Sequence, residues 1–190
     1  MKKSHWLNLP NILTAIRILL VPFLLYAFFT MGERKHLATL CIFFAAGLTD
    51  CLDGYFARRY NQITKLGKVL DPIADKLLTA SVLFCLCISE VLHWLLLAVI
   101  VVKELYMAVG TSICLKRDIE VASDIYGKLA TLLFYPSVLM AWPWHGNTIV
   151  TNLGKVLVLV SCVMSIIAAV HYTGASVKKW NEMKAGEMLH

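Results

Sequence analysis

The chain has 190 residues, of which 59% are hydrophobic and 16% are charged. Soluble domains usually carry about 25% charged residues, so this composition and the long apolar runs indicate a membrane protein. The formal net charge is +6, but the basic residues lie between the apolar runs. This placement favours lipid headgroups as their partners and excludes nucleic acid.

Six apolar stretches, each close to the ~20 residues that a bilayer core requires, predict six membrane-spanning helices. Residues 1–10 precede them and are expected to lie in the membrane interface. Residues 11–175 form the predicted six-helix domain, and residues 176–190 form a polar cytoplasmic tail. The predicted spans cover residues 11–31, 36–58, 70–92, 93–115, 124–143 and 148–173.

Lysine and arginine residues are concentrated in alternate connections. The connections around residues 59–69 and 116–128 contain several, as do both ends of the chain, whereas those at 90–93 and 143–147 contain none. The first loop carries two basic residues and departs from this alternation. Basic loops remain in the cytoplasm, so both termini are predicted to be cytoplasmic, in a bacterial-type inner or cell membrane.

Four aspartates interrupt the second and third predicted spans. Asp50 and Asp53 lie three residues apart near the end of the second span, and Asp71 and Asp75 lie four apart at the start of the third. Both spacings place a pair on one helix face. An ionised carboxylate in a membrane helix is energetically expensive, so such residues usually indicate function.

A short polar connection joins these two spans as a hairpin, which lets the two acidic faces meet at the cytoplasmic end. Converging carboxylates repel one another unless cations lie between them, and hard oxygen ligands suit Mg²⁺ or Mn²⁺. Two such ions form a clamp for displacement at phosphorus. The expected fold is therefore an all-α membrane protein, with six transmembrane helices and a cytoplasm-facing metal site.

The residues between the aspartates favour a phosphate-containing substrate. Gly54 and Gly67 allow a ligand to approach the backbone closely, Ala57 leaves space, and Arg58 is placed to meet a phosphate. The complete pattern resembles the signature of the CDP-alcohol phosphatidyltransferase family at all eight positions. It is Asp50-x2-Asp53-Gly54-x2-Ala57-Arg58-x8-Gly67-x3-Asp71-x3-Asp75.

The resemblance implies an enzyme that transfers a phosphatidyl group from CDP-diacylglycerol to an alcohol and releases CMP. It implies that Asp50, Asp53 and Asp71 hold two metal ions. Asp75 would contact the second ion and act as the base on the acceptor hydroxyl. The CDP part of the donor would contact Asp53, Gly54, Ala57, Arg58 and Gly67. Membrane lipids are expected neighbours, and a homodimer is a further expectation because family members often form dimers.

The opening segment, Pro10 to Arg17, resembles phosphatidylglycerophosphate synthases and CMP-forming cardiolipin synthases. Three cations are candidates for binding the acceptor: Arg17, Lys103 and Lys128. Lys103 precedes Glu104 where glycerophosphate synthases usually carry an Arg-Glu pair. Lysine is not equivalent to arginine at a bidentate phosphate site.

Ala130 stands where glycerophosphate synthases carry a second lysine, and cardiolipin synthases also tend to lack that lysine. We expect glycerol-3-phosphate as the acceptor, and phosphatidylglycerol is the alternative. Outside this class of enzyme, a divalent-cation transporter or a catalytically silent lipid-binding relative would also explain acidic membrane helices. A transporter, however, does not need the glycine, alanine and arginine residues at these spacings.

Overall fold

A computed structural model of the chain describes residues 9–59, 67–116, 125–143 and 146–187. Some side chains within these helices are outside the description, namely those of residues 9–11, 51, 53–59, 67–69, 71–72, 115–116 and 184–187. The described residues form six α-helices and one short 3-10 helix, and they contain no strand. The all-α prediction is confirmed.

Each α-helix overlaps one predicted span. The six helices are α1 (Leu9–Thr30), α2 (Lys35–Arg59), α3 (Gly67–Ile88), α4 (Trp94–Lys116), α5 (Ile125–Ala141) and α6 (Thr148–Glu187). Helix α6 continues far beyond the predicted end at residue 173 and includes most of the predicted polar tail. No proline interrupts this extension, and its lysine, alanine and methionine residues favour a helix.

Within the described residues, three helices are long and apolar enough to cross a membrane, which is consistent with a membrane protein. These candidate spans are Ile12–Thr30, Trp94–Cys114 and Thr148–Met183, and Ile125–Ala141 is a shorter apolar helix. The described parts of α2 and α3, which carry the aspartates, do not meet the same criterion. Membrane crossing by α2, α3 and α5 therefore stays a prediction.

The chain forms two compact units, Met1–Trp94 and Leu95–His190. In the first unit, α1 packs along α2 and also against α3, and α2 and α3 also touch each other. The connection of the predicted α2–α3 hairpin lies outside the described residues, and among those described α1 packs against both helices. The buried apolar core of this unit contains Val21, Leu24, Phe28, Leu40, Phe43, Ala46, Ala74, Leu78 and Val82.

In the second unit, α5 and α6 pack along each other. Two side-chain hydrogen bonds link α4 to α6. The ammonium group of Lys103 donates to the Ser165 hydroxyl at 2.5 Å, and the Tyr106 hydroxyl donates to Thr173 Oγ1 at 3.2 Å. Helix α4 thus contacts α6 through polar groups within an otherwise apolar span.

Buried hydroxyl groups in these helices bond to their own helix. The Oγ atoms of four residues donate to a backbone carbonyl three or four residues earlier, at 2.7–2.8 Å: Thr39, Ser81, Ser137 and Ser161. Lipid offers no hydrogen-bonding partner to such groups. Each helix therefore satisfies these hydroxyls without help from a neighbour.

Gly154 sets the close approach of α6 to the end of α5. A Cβ atom at Gly154 would fall on the backbone of Met140 and Ala141, whereas one at Gly174 of the same helix would meet nothing within 4 Å. Backbone atoms cannot move aside as the tip of a flexible side chain can. An alanine at position 154 therefore forces the two helices apart.

We expect Gly154→Ala to lower the thermal unfolding temperature of the detergent-solubilised protein, because overpacking typically costs about 1–3 kcal/mol. Gly174→Ala is the matched control, and it should be neutral or raise stability by up to ~1 kcal/mol, since alanine has the higher helix propensity. Equal unfolding temperatures for the two variants would contradict the close packing at Gly154.

Candidate active site

The two acidic pairs both lie on helical backbone. Asp50 and Asp53 are in α2, and Asp71 and Asp75 are in α3, so each predicted spacing does place its pair on one helix face. The side chains of Asp53 and Asp71 lie outside the described residues. The structure therefore places two of the four carboxylates, those of Asp50 and Asp75.

Asp50 forms an ion pair with Arg17 of α1. Nη1 of Arg17 lies 2.6 Å from Oδ1 of Asp50, and the arginine side chain is fully buried while that of Asp50 stays 42% exposed. The contact joins opposite charges at ion-pair distance. The pair fixes the first aspartate of the motif to α1.

Asp75 lies at the border of the packed face of α3. Its neighbour Ala74 is fully buried, as is Leu78 one turn later, whereas Asp75 itself is half-buried. The helix therefore holds the Asp75 carboxylate between core and surface. This position suits a group that has to meet a substrate hydroxyl while its backbone stays fixed.

Among the described side chains, no three histidine, cysteine, aspartate or glutamate residues lie close enough together to hold a metal ion. The two placed carboxylates nevertheless fit a hard divalent cation, because each keeps part of its side chain exposed and offers only oxygen ligands. The predicted donor-binding residues lie outside the described side chains; they are Asp53, Gly54, Ala57, Arg58 and Gly67.

The three candidate acceptor-binding cations have different surroundings. Arg17 belongs to the first unit and is buried against Asp50. Lys103, in the second unit, forms an ion pair with Glu104, and these side chains are only 13% and 24% exposed. Lys128 lies in the first turn of α5 and is exposed.

Ser165 is a polar partner that sequence reasoning missed. It accepts a hydrogen bond from Lys103, but a serine in an apolar helix gives no signal by itself because it usually bonds to its own backbone. The Arg17–Asp50 pair does have a sequence signal. A buried arginine in an apolar span requires a counter-charge, and Asp50 is the first acid in the next helix.

Residues 7–174 match the sequence profile of the CDP-alcohol phosphatidyltransferase family. The chain belongs to this family. It is therefore an enzyme, as the aspartate signature predicts, and the transporter alternative is set aside.

Several bacterial CDP-alcohol phosphatidyltransferases are similar to this chain. A protein of Aquifex aeolicus is 33% identical over 174 residues, which cover 88% of this chain and 94% of that protein. An Escherichia coli protein is 32% identical over 176 residues, with coverages of 89% and 94%. A Haemophilus influenzae protein is 39% identical over 94 residues, about half of each chain. All three are named CDP-diacylglycerol–glycerol-3-phosphate 3-phosphatidyltransferase.

We expect Asp50→Asn to destabilise this phosphatidyltransferase as well as impair it, because the fully buried Arg17 loses its ion pair with this carboxylate. Breaking a buried ion pair costs about 3–5 kcal/mol, and the partial exposure of Asp50 should place the loss below that range. Thermal unfolding in detergent measures the effect. Glu33→Gln, which changes an exposed acid of the same unit, is the control and should change the unfolding temperature less. An Asp50→Asn variant as stable as the wild type would contradict the energetic role of the pair.

Proposed function

We propose that this chain transfers the phosphatidyl group of CDP-diacylglycerol to glycerol-3-phosphate, forming phosphatidylglycerophosphate and CMP. The observation that carries the proposal is the shared name of relatives that match 88% and 89% of the chain at 33% and 32% identity. The complete aspartate signature supports the same reaction. Its eight residues are all present at the required spacing.

In the proposed reaction, the acceptor hydroxyl oxygen attacks the β-phosphorus of CDP-diacylglycerol. A new P–O bond forms to the acceptor, the P–O bond to CMP breaks, and Asp75 accepts the hydroxyl proton. Mg²⁺ or Mn²⁺, with two ions held by Asp50, Asp53, Asp71 and Asp75, would neutralise the pyrophosphate and stabilise the charge on the departing CMP. The half-buried position of Asp75 on a rigid helix supports its role as the base.

Lys103 is the candidate that we propose for binding the phosphate of the acceptor. It is an ammonium group in an apolar span, held by Glu104 and Ser165, and such buried charges are usually functional. Lys128, exposed at the start of α5, is a second cation in the same unit. A cation whose position is already fixed binds phosphate with little ordering entropy.

One observation favours phosphatidylglycerol as a second candidate acceptor. Ala130 stands where glycerophosphate synthases carry a second lysine, and it is buried on the packed face of α5. A lysine could not occupy this position without burying its charge. The proposed acceptor site would then have one cation fewer than the site of the glycerophosphate synthases. Such a site would suit an acceptor with less negative charge than glycerol-3-phosphate.

We further propose that both termini and the active site face the cytoplasm. The connection between the two acidic helices, the connection at 116–128 and both ends of the chain carry most of the basic residues, and basic loops remain cytoplasmic. CMP and glycerol-3-phosphate are water-soluble and charged. An enzyme that exchanges them with the lipid phase needs its site at that aqueous boundary.

CMP release by the purified protein tests the proposal. The protein in nanodiscs is given CDP-diacylglycerol and Mg²⁺, with glycerol-3-phosphate and phosphatidylglycerol in separate reactions. We expect CMP release in the reaction with glycerol-3-phosphate and none in the reaction with phosphatidylglycerol, and EDTA should abolish the release. Release with phosphatidylglycerol alone would replace the proposed function with cardiolipin synthesis. Release that survives EDTA would overturn the metal requirement.

Asp75→Asn should bind CDP-diacylglycerol nearly as the wild type does but turn over about 10²–10⁴-fold more slowly, the usual contribution of a general base. Calorimetry measures the affinity for CDP-diacylglycerol, and CMP release measures the turnover rate. Glu33→Gln, an exposed acid in the same unit, is the control and should retain full turnover. Normal turnover by Asp75→Asn would refute its assignment as the base.

Lys103→Met should raise the KM for glycerol-3-phosphate about tenfold or more, since a hydrogen bond to a charged group is worth ~1.5–3 kcal/mol. The KM for CDP-diacylglycerol should stay the same. Lys155→Met, which changes another lysine of the second unit, is the matched control. If both variants keep the wild-type KM, Lys103 does not bind the acceptor.

A further inference from the structure

Arg17 lies within the buried stripe of α1. The members of this stripe are spaced three or four residues apart, as expected for one helix face, and they are Thr14, Arg17, Val21, Leu24 and Phe28. Arg17 is the charged member, and its side chain is 0% exposed. A buried guanidinium group destabilises a protein unless it is paired, so this position requires a specific reason.

The contact that Arg17 makes indicates that reason. Its Nη1 lies 2.6 Å from Oδ1 of Asp50, the first aspartate of the acidic signature, whose side chain remains 42% exposed. The ion pair thus has a buried end on α1 and a partly exposed end on α2. One carboxylate oxygen is anchored while the side chain still reaches the surface of the unit.

The same geometry argues against direct contact between Arg17 and the acceptor. A residue that receives a soluble phosphate has to present polar atoms to the solvent from which the phosphate arrives. Arg17 presents none, because its side chain is fully buried. To bind the acceptor, it would have to release Asp50 and leave the core of the first unit.

We propose that Arg17 is a positioning residue, which orients the Asp50 carboxylate for divalent-metal binding and does not bind the acceptor. This inference rests on the proposed function, in which Asp50 is a metal ligand. Metal-binding carboxylates are commonly held by a second group, and mutation of that group typically costs about 10–100-fold in metal affinity or activity. The anchored oxygen of Asp50 fits this arrangement.

The chemistry of arginine explains why this residue type serves the role. The guanidinium group is planar, stays charged even when buried, and presents its donors in a rigid fork. It therefore fixes the direction of a carboxylate as well as its charge. A lysine at position 17 would supply the charge without the direction, so Arg17→Lys should restore only part of the function that Arg17→Met removes.

Mn²⁺ binding, measured by electron paramagnetic resonance on the full-length protein in detergent, tests the inference without relying on turnover. We expect Arg17→Met to weaken Mn²⁺ binding about 10–100-fold and Arg17→Lys to weaken it less. At saturating Mn²⁺, the KM for glycerol-3-phosphate should remain at the wild-type value in both. Arg34→Met, which changes an exposed arginine of the same unit, is the control and should bind Mn²⁺ normally.

A double-variant comparison separates positioning from a general effect on folding. If Arg17 acts through Asp50, adding Arg17→Met to Asp50→Asn should change Mn²⁺ affinity by less than about twofold, since the two effects are coupled. This double variant also removes both charges together. It therefore keeps the test informative if Arg17→Met alone does not fold.

Two results would overturn the inference while the proposed function stands. One is wild-type Mn²⁺ affinity in Arg17→Met together with a raised KM for glycerol-3-phosphate, which would make Arg17 an acceptor-binding residue. The other is a full additional loss of Mn²⁺ affinity from Arg17→Met in the Asp50→Asn background. Failure of the wild-type protein to bind Mn²⁺ would instead overturn the metal role of Asp50, and this inference with it.

Discussion

The ion pair between Arg17 and Asp50 is the interaction on which the first unit depends. It connects the buried face of α1 to the acidic end of α2, and so links the core of the unit to the proposed metal site. A charge buried in an apolar environment has few alternative positions. If it moves away from its partner, it remains buried without a compensating charge, which is strongly destabilising. The pair therefore constrains how α1 and α2 lie against each other.

Helix α1 is the packing partner of both acidic helices. It packs against both α2 and α3. Within the part of the chain that the structure describes, the helices that carry the two acidic pairs thus share α1 as a common neighbour.

The second unit follows a different principle. Helices α5 and α6 approach closely because Gly154 has no side chain, in the way that small residues allow membrane helices to pack. Helix α4 is held to α6 by Lys103 and Tyr106, through hydrogen bonds to Ser165 and Thr173. Such bonds are directional, so they set the position of the Lys103 ammonium group more narrowly than apolar packing does.

The sequence by itself determined the helical class, the six helices, the family and the residues of the acidic signature, because apolar run length and residue spacing are local properties of the chain. It also identified Arg17 and Lys103 as unusual, since a charge in an apolar span stands out without any structure. It did not assign their partners. Only the tertiary structure decided that Arg17 meets Asp50, that Lys103 meets Ser165 and that α1 supports both acidic helices, because these contacts join helices whose packing no local pattern specifies.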